Sequence, residues 1–140
     1  MDETMLEIRN FLGEGYQPLI DFGEWRVAIL RFLDGMQPER NDTMERHTET
    51  DEVFVLLRGQ GILILGGNDP QVNGIYPQVM DQGILYNVKR NTWHTVILSR
   101  DASVLIVENR DTGERNSEFA SLSAEQHRKI ISSAQAEGLD

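Results

Sequence analysis

Alternating apolar and polar positions predict a series of short β-strands over most of the chain. Between residues 24 and 33, Trp25, Val27 and Ile29 recur at every second position, which indicates a strand buried on one face. Further segments predicted as short strands follow, bounded by Gly, Pro, Asn and Asp. They cover residues 43–48, 53–57, 62–65, 83–88, 94–99 and 103–108, with a shorter one around residues 75–76. Since no helical stretch separates them, we expect an antiparallel sandwich or barrel rather than a parallel α/β sheet.

The two ends of the chain depart from this strand pattern. Ser123 and Gln126 have the spacing of a capping box, and Ile130 and Ala134 lie on one apolar stripe, so we predict a helix over about residues 124–136. At the other end, glycines and Pro18 would interrupt any helix that begins near the N-terminus.

The length of 140 residues indicates a single domain. We divide it into an N-terminal arm (1–22), a barrel (23–112) and a C-terminal tail with the helix (113–140). The arm is expected to pack on the barrel or on a second subunit.

Composition narrows the possible functions. The chain has no cysteine, which excludes disulfides and thiolate ligands and leaves His, Asp and Glu as candidate metal ligands. Its formal net charge is −10 and its lysines are Lys89 and Lys129, so nucleic acids and anionic membranes are poor partners. No apolar run approaches the ~20 residues that span a bilayer, and the N-terminus is acidic, which leads us to expect a cytoplasmic protein.

Candidate chemistry is concentrated in residues 45–61, where polar groups precede an alternating apolar run and a glycine turn. Glu45 and His47 lie two residues apart, so on a strand they face the same way. Glu52 is in phase with Phe54 and Leu56, which indicates that it faces the interior. His94 has the same relation to Val96 and Leu98 on a later strand.

Two motifs in this region resemble those of small single-domain cupins. The first family motif is His-x-His, three or four residues, Glu, six residues and Gly, and this chain has Glu45, His47, Glu52 and Gly59 at those positions. The second is Gly, five residues, then Pro-x-Gly-x-x-His. This chain matches it at Gly83 and His94, but Lys89 and Asn91 replace the Pro and the second Gly. The resemblance covers about half of the chain and implies an all-β double-stranded β-helix, or jelly roll.

The resemblance also implies a divalent metal inside the barrel. Position by position, the family's ligands correspond to His47, Glu52 and His94, while Glu45 takes the place of the first histidine. Two imidazoles and one carboxylate suit Fe, Mn, Ni or Zn and leave positions open for water or substrate. If Glu45 also binds, its second negative charge favours Mn or Fe; if it does not, Glu45 is a candidate general base.

Two classes of function follow from this resemblance. One is a metal-dependent enzyme acting on a small polar molecule, by isomerase, lyase or oxygenase chemistry. The other is a metal-free, non-catalytic cupin that binds a ligand or forms a structural dimer, which the substituted motif positions favour. A homodimer is expected in either case.

Three further residues are expected to be structural. Trp93 precedes His94 and faces the opposite side of its strand, where core or dimer packing is expected. Arg46 is expected to pair with an acidic neighbour, and His127 to lie on the surface of the predicted helix.

Overall fold

A computed structural model describes residues 2–139, which form ten β-strands and one α-helix with three short 3-10 turns. The strands are β1 (Gly15–Phe22), β2 (Trp25–Arg31), β3 (Thr43–His47), β4 (Glu52–Arg58), β5 (Gly61–Leu65), β6 (Tyr76–Val79), β7 (Leu85–Val88), β8 (His94–Leu98), β9 (Ser103–Asn109) and β10 (Ser117–Ser121). The 3-10 turns lie at Asp34–Met36, Pro38–Arg40 and Glu114–Asn116, and the helix α1 spans Ala124–Ala136.

The strands form two stacked sheets that we call sheet one and sheet two. Within residues 2–139, sheet one has the order β1-β2-β9-β4-β7 and sheet two the order β10-β3-β8-β5-β6. Pairings between these strands are antiparallel. Because β3, β5 and β8 pair in one sheet while β2, β4 and β9 pair in the other, the chain repeatedly crosses between the two layers. The predicted antiparallel all-β fold is confirmed.

Two apolar cores stabilise this arrangement. The inner core lies between the sheets and includes Ala28, Phe54, Leu56, Leu63, Met80, Val96, Leu98, Val104 and Ile106. The outer core lies between sheet two and α1 and includes Met44, Ile62, Ile64, Trp93, Ile97, Ile130 and Ala134. Since side chains alternate across a strand, the strands of sheet two contribute to both cores.

The helix α1 forms over the residues predicted from its capping box. The Ser123 hydroxyl accepts a hydrogen bond from the Gln126 N–H at 3.1 Å, and Gln126 Oε1 accepts one from the Ser123 N–H at 2.9 Å. His127 differs from its expected surface position, because it is partly buried and its Nε2 bonds the Pro38 carbonyl at 2.8 Å. In the described part of the chain, no helix is long and apolar enough to cross a membrane.

Each end of the chain adds a strand that the sequence pattern does not predict. Residues 15–22, within the expected arm, form β1 at the edge of sheet one, where an irregularity in register lies between Pro18 and Ile20. Residues 117–121, within the expected tail, form β10 at the edge of sheet two. Residues 1 and 140, which the expected arm and tail include, lie outside the described residues.

Two turns at motif positions have left-handed backbone conformations. Gly59 has φ +77°, and a Cβ there would lie 2.7 Å from the Cα of Ala102, so the position admits only glycine. Asn91 has φ +67°, and asparagine tolerates this conformation better than most residues. The replacement of the expected glycine by Asn91 therefore preserves the turn that leads to His94.

Candidate functional site

A cavity of about 520 Å³ opens between the two sheets, at one end of the inner core. Apolar and aromatic side chains form much of its wall, among them Met36, Phe54, Ile106 and Phe119. A cluster of ionisable side chains forms the rest: Glu45, His47, Glu52, His94 and Glu108, with Tyr16 and Arg26 beside them. A volume of this size fits a small molecule.

The structure brings together three of the residues singled out by the motifs. His47 ends β3 and His94 begins β8, both in sheet two, while Glu52 begins β4 in sheet one. Glu52 Oε1 lies 3.0 Å from His47 Nε2 and 2.9 Å from His94 Nε2. All three residues are buried, so the cluster joins the two sheets across the interior.

Backbone and side-chain contacts on the far side of each ring fix its orientation. His94 Nδ1 lies 2.9 Å from the Thr92 carbonyl oxygen, which only accepts hydrogen bonds, so Nδ1 is protonated and donates. In a neutral His94 ring, Nε2 then presents a lone pair to the Glu52 carboxylate. His47 Nδ1 shares a hydrogen bond of 2.8 Å with the Ser117 hydroxyl.

Burial and charge act in opposite directions on these groups. Burial would raise the pKa of Glu52, but hydrogen bonds from the two rings and their charge outweigh it and lower this pKa to about 2. Burial lowers the pKa of each histidine, but the hydrogen bond to Glu52 and its negative charge outweigh it, so both pKa values are raised. The cluster thus has an ionised carboxylate around which positive charge is favoured.

Glu45 lies at the rim of this cluster. Its Cα pairs with that of His94 across β3 and β8, and its Oε1 lies 3.9 Å from His47 Nε2. Its side chain is 41% exposed, and no hydrogen bond to another described residue holds it. Glu45 is therefore free to contact a molecule in the cavity.

A second polar group, absent from the motifs, lines the same cavity on sheet one. The Glu108 carboxylate on β9 accepts hydrogen bonds at Oε2 from the Tyr16 hydroxyl and from Arg26 Nη2, the latter at 3.0 Å. Burial and the nearby Glu52 charge raise the pKa of Glu108, against the opposing effect of Tyr16 and Arg26. Burial and the bond to Glu108 raise the pKa of Tyr16, which is a phenol at neutral pH. The only sequence signal for Glu108 is its alternation with the buried Val104 and Ile106.

Donor atoms of the site form two groups of three, each spaced closely enough to hold an ion, and the groups share His47. One atom each from Glu45, His47 and His94 lie within 4.8 Å of one another, and so do one atom each from His47, Glu52 and Glu108. Imidazole nitrogens and carboxylate oxygens are the donors that Fe, Mn, Ni and Zn accept. The residues present therefore fit a divalent metal.

Trp93 and Arg46, which lie outside the site, occupy the positions expected of them. Trp93, directly before β8, is buried in the outer core and does not line the cavity, and the Arg46 guanidinium lies 4.5 Å from its ring centre. Arg46 Nε donates to Glu118 Oε1 at 3.0 Å, which is the expected acidic pairing.

Comparison with known proteins shows similarity in structure but not in sequence. No family model matches the chain, and no curated protein matches it in sequence. Among solved structures, a cupin-2 domain protein from Shewanella frigidimarina matches with TM-score 0.50 and 16% identity, over 71% of this chain and 85% of that one.

Two further matches hold small molecules. The Streptomyces protein PAC13, with uridine, has TM-score 0.52 and 17% identity, over 82% of this chain and 85% of that one. Hydroquinone 1,2-dioxygenase from a Sphingomonas species, with 4-hydroxybenzoate bound, has TM-score 0.52 and 12% identity, over 66% of this chain and 63% of that one. At such identities the likeness concerns the fold alone. The chain has the cupin fold that its two motifs predict.

Proposed function

We propose that this protein holds a divalent metal ion with His47, Glu52 and His94, and acts on a small polar molecule bound in the adjoining cavity. Two points support this proposal. The motifs imply these three residues as ligands, and all three side chains line the cavity. Cupin structures that match the chain include a dioxygenase with a small aromatic acid bound.

The observation that supports a metal most directly is the orientation of His94. Its Nδ1 donates to the Thr92 carbonyl, so the neutral ring points an Nε2 lone pair at the Glu52 carboxylate, 2.9 Å away. Two acceptors at that distance repel unless the ring is protonated or a cation lies beside both. A hydrogen bond at the far nitrogen is also the usual support of a metal-binding histidine.

When bound, the ion supplies a Lewis acid that polarises an oxygen of the bound molecule. The chain's own residues supply the rest of the chemistry. Glu45 is exposed to the cavity and unrestrained, so we assign it the transfer of a proton to or from the bound molecule. The apolar wall formed by Phe54 and Ile106 limits the access of water from the core side.

The first experiment measures the metal content of untagged protein by elemental mass spectrometry. Wild type should contain nearly one Fe, Mn, Ni or Zn per chain, and His94→Ala should contain almost none. His127→Ala is the matched control, because this third histidine lies on α1 and does not line the cavity. Iron would favour oxygenase chemistry, whereas Mn, Ni or Zn would favour an isomerase or lyase.

A metal-free cupin that only binds a ligand is the second candidate. It is supported by the hydrogen bonding, because no buried side-chain nitrogen or oxygen of the described residues lacks a partner. A wild type that contains no metal and ignores added divalent ions would favour this candidate over the first. Small acids and sugars would then be screened by thermal shift. The Glu45→Gln variant further distinguishes the metal-dependent enzyme from the metal-free binding protein. It should abolish turnover in the enzyme, but leave ligand binding intact in the binding protein.

We also propose that the chain forms a homodimer. The N-terminal segment exposes apolar side chains that a monomer leaves in water, with Met5 74%, Ile8 73% and Leu12 72% exposed. Light scattering after size exclusion should give about twice the chain mass of 16.0 kDa, and deletion of residues 2–12 should reduce it to a single chain mass.

A further inference from the structure

Glu108 is a buried carboxylate that is held firmly by one of its two oxygens. Its side chain is 3% exposed, and Oε2 takes the hydrogen bonds from Tyr16 and from Arg26 Nε and Nη2. Among the described residues, Oε1 has no hydrogen-bond donor. Every fully buried side-chain oxygen of the described residues has a hydrogen-bond partner, so Oε1 is not fully buried. Because Glu108 lines the cavity, we infer that Oε1 faces it.

The two residues that hold Glu108 are fixed in turn. Arg26 is the direct cross-strand neighbour of Glu108, and two of its three remaining N–H groups donate to the carbonyl oxygens of Arg110 and Thr112 at 3.0 and 2.9 Å. Arg26 therefore has little capacity left to bind an anion from the cavity, and its contacts instead fix the Glu108 carboxylate. Carboxylates that bind metals are commonly held by such hydrogen bonds.

Position and charge also favour Glu108 as a partner for a cation. A donor atom of Glu108 lies within 4.8 Å of donor atoms of His47 and Glu52, and all three residues are buried. Glu52 and Glu108 lie on the neighbouring strands β4 and β9 of sheet one, where their negative charges repel, and a divalent ion bound by both replaces that repulsion by attraction. Glu45, which occupies the family's ligand position, also has a donor atom within 4.8 Å of donor atoms of His47 and His94, but its side chain is 41% exposed and no hydrogen bond to another described residue holds it.

We propose that Glu108 binds the metal ion through Oε1 as the fourth protein ligand, with Tyr16 and Arg26 as its positioning residues. This inference rests on the proposed metal site. It gives a set of two imidazoles and two carboxylates, in which the second carboxylate comes from β9 rather than from the first motif. A set with two hard oxygen donors favours Mn or Fe over Cu.

The test compares Mn²⁺ affinity, measured by isothermal titration, in wild type, Glu108→Gln and Glu45→Gln. In Glu108→Gln the amide oxygen keeps the hydrogen bonds from Tyr16 and Arg26, so the amide NH₂ is turned toward the ion and cannot bind it. We expect affinity to fall by more than about tenfold in Glu108→Gln and by less than about threefold in Glu45→Gln. Equal affinities of Glu108→Gln and wild type would overturn the inference while leaving the proposed metal site intact. A wild type that binds none of Mn²⁺, Fe²⁺, Ni²⁺ and Zn²⁺ would overturn both.

A second measurement keeps the inference testable if Glu108→Gln does not fold. In a crystal of wild type loaded with Mn²⁺, anomalous scattering locates the ion, and Glu108 Oε1 should lie within about 2.3 Å of it. A distance above about 3.5 Å, or Glu45 in its place, would contradict the assignment. Tyr16→Phe, which keeps the carboxylate but removes one of its donors, should weaken Mn²⁺ binding less than Glu108→Gln does.

Discussion

The inner and outer cores use the same strands of sheet two but differ in what they bury. The outer core, between sheet two and α1, consists of apolar side chains such as Met44, Ile64 and Ile130. The inner core is equally apolar at one end, but its other end is the cavity lined by His47 and Glu52. One face of sheet two therefore serves packing alone, while the opposite face combines packing with chemistry.

This difference separates stability from function within a small domain. A buried apolar side chain contributes about 1.5–3 kcal/mol through removal from water, whereas a buried ionised group costs free energy unless it is paired. At the cavity, ionisable groups offset that cost by bonding one another. Changes in the outer core should therefore alter the free energy of unfolding, and changes at the cavity should alter ligand and metal binding.

The largest effect is expected in the outer core. Ile130 is fully buried, so Ile130→Ala should lower the free energy of unfolding by about 2–5 kcal/mol, measured by urea denaturation. Mn²⁺ affinity of the folded variant should equal that of wild type. A large loss of Mn²⁺ affinity would show that the two cores are coupled, and would contradict the separation of stability from binding.

Metal loading should stabilise the protein through the inner site alone. Mn²⁺ at about 100 times its dissociation constant should raise the free energy of unfolding by about 2.7 kcal/mol. The gain should be the same in wild type and in Ile130→Ala, and absent in His94→Ala. Denaturation with excess EDTA gives the metal-free reference, and a gain that persists in His94→Ala would contradict the assigned site.

A smaller effect is expected from the residue that orients His47. Ser117→Ala removes the hydroxyl 2.8 Å from His47 Nδ1, so Mn²⁺ affinity should fall by about tenfold, or about 1.4 kcal/mol. Ser121→Ala, at the exposed end of the same strand, is the matched control and should leave the affinity unchanged. If both variants lose affinity equally, the cause lies in β10 as a whole rather than in this hydrogen bond.

The smallest effect concerns the start of α1. Ser123→Ala removes the hydroxyl that accepts from the Gln126 N–H and should lower the free energy of unfolding by about 1 kcal/mol. Ser123→Asp retains an acceptor and should restore most of that loss. Mn²⁺ affinity should be unchanged in both variants, because the cap supports only the outer core.

The sequence predicts those parts of the molecule that rest on local periodicity and spacing. Alternation in β4 and β8 correctly indicates that Glu52 and His94 face the interior with Phe54 and Val96. The capping box at Ser123 likewise predicts the beginning of α1. Each of these signals lies within a few residues of the feature that it predicts.

The parts that sequence does not predict depend on contacts between distant residues. Pro18 and an irregular register conceal β1, because proline is tolerated only where no ladder bond is needed, as on an edge strand. Glu108 joins the cavity only because β9 pairs with β2 and β1 adds Tyr16, contacts that span 82 and 92 positions of sequence. Its alternation with Val104 and Ile106 indicates an inward-facing side chain, but no local pattern indicates that Tyr16 and Arg26 hold it.

The position of β1 at the edge of sheet one has a consequence for site dynamics. An edge strand is bonded to a neighbour on one side only, so it opens at a lower free-energy cost than a central strand. Tyr16 lies on β1, so we expect each opening of β1 to take its hydroxyl away from Glu108. The rate of hydrogen exchange of the β1 amides therefore reports how often Tyr16 leaves Glu108. A bound metal or ligand that contacts Glu108 should slow that exchange.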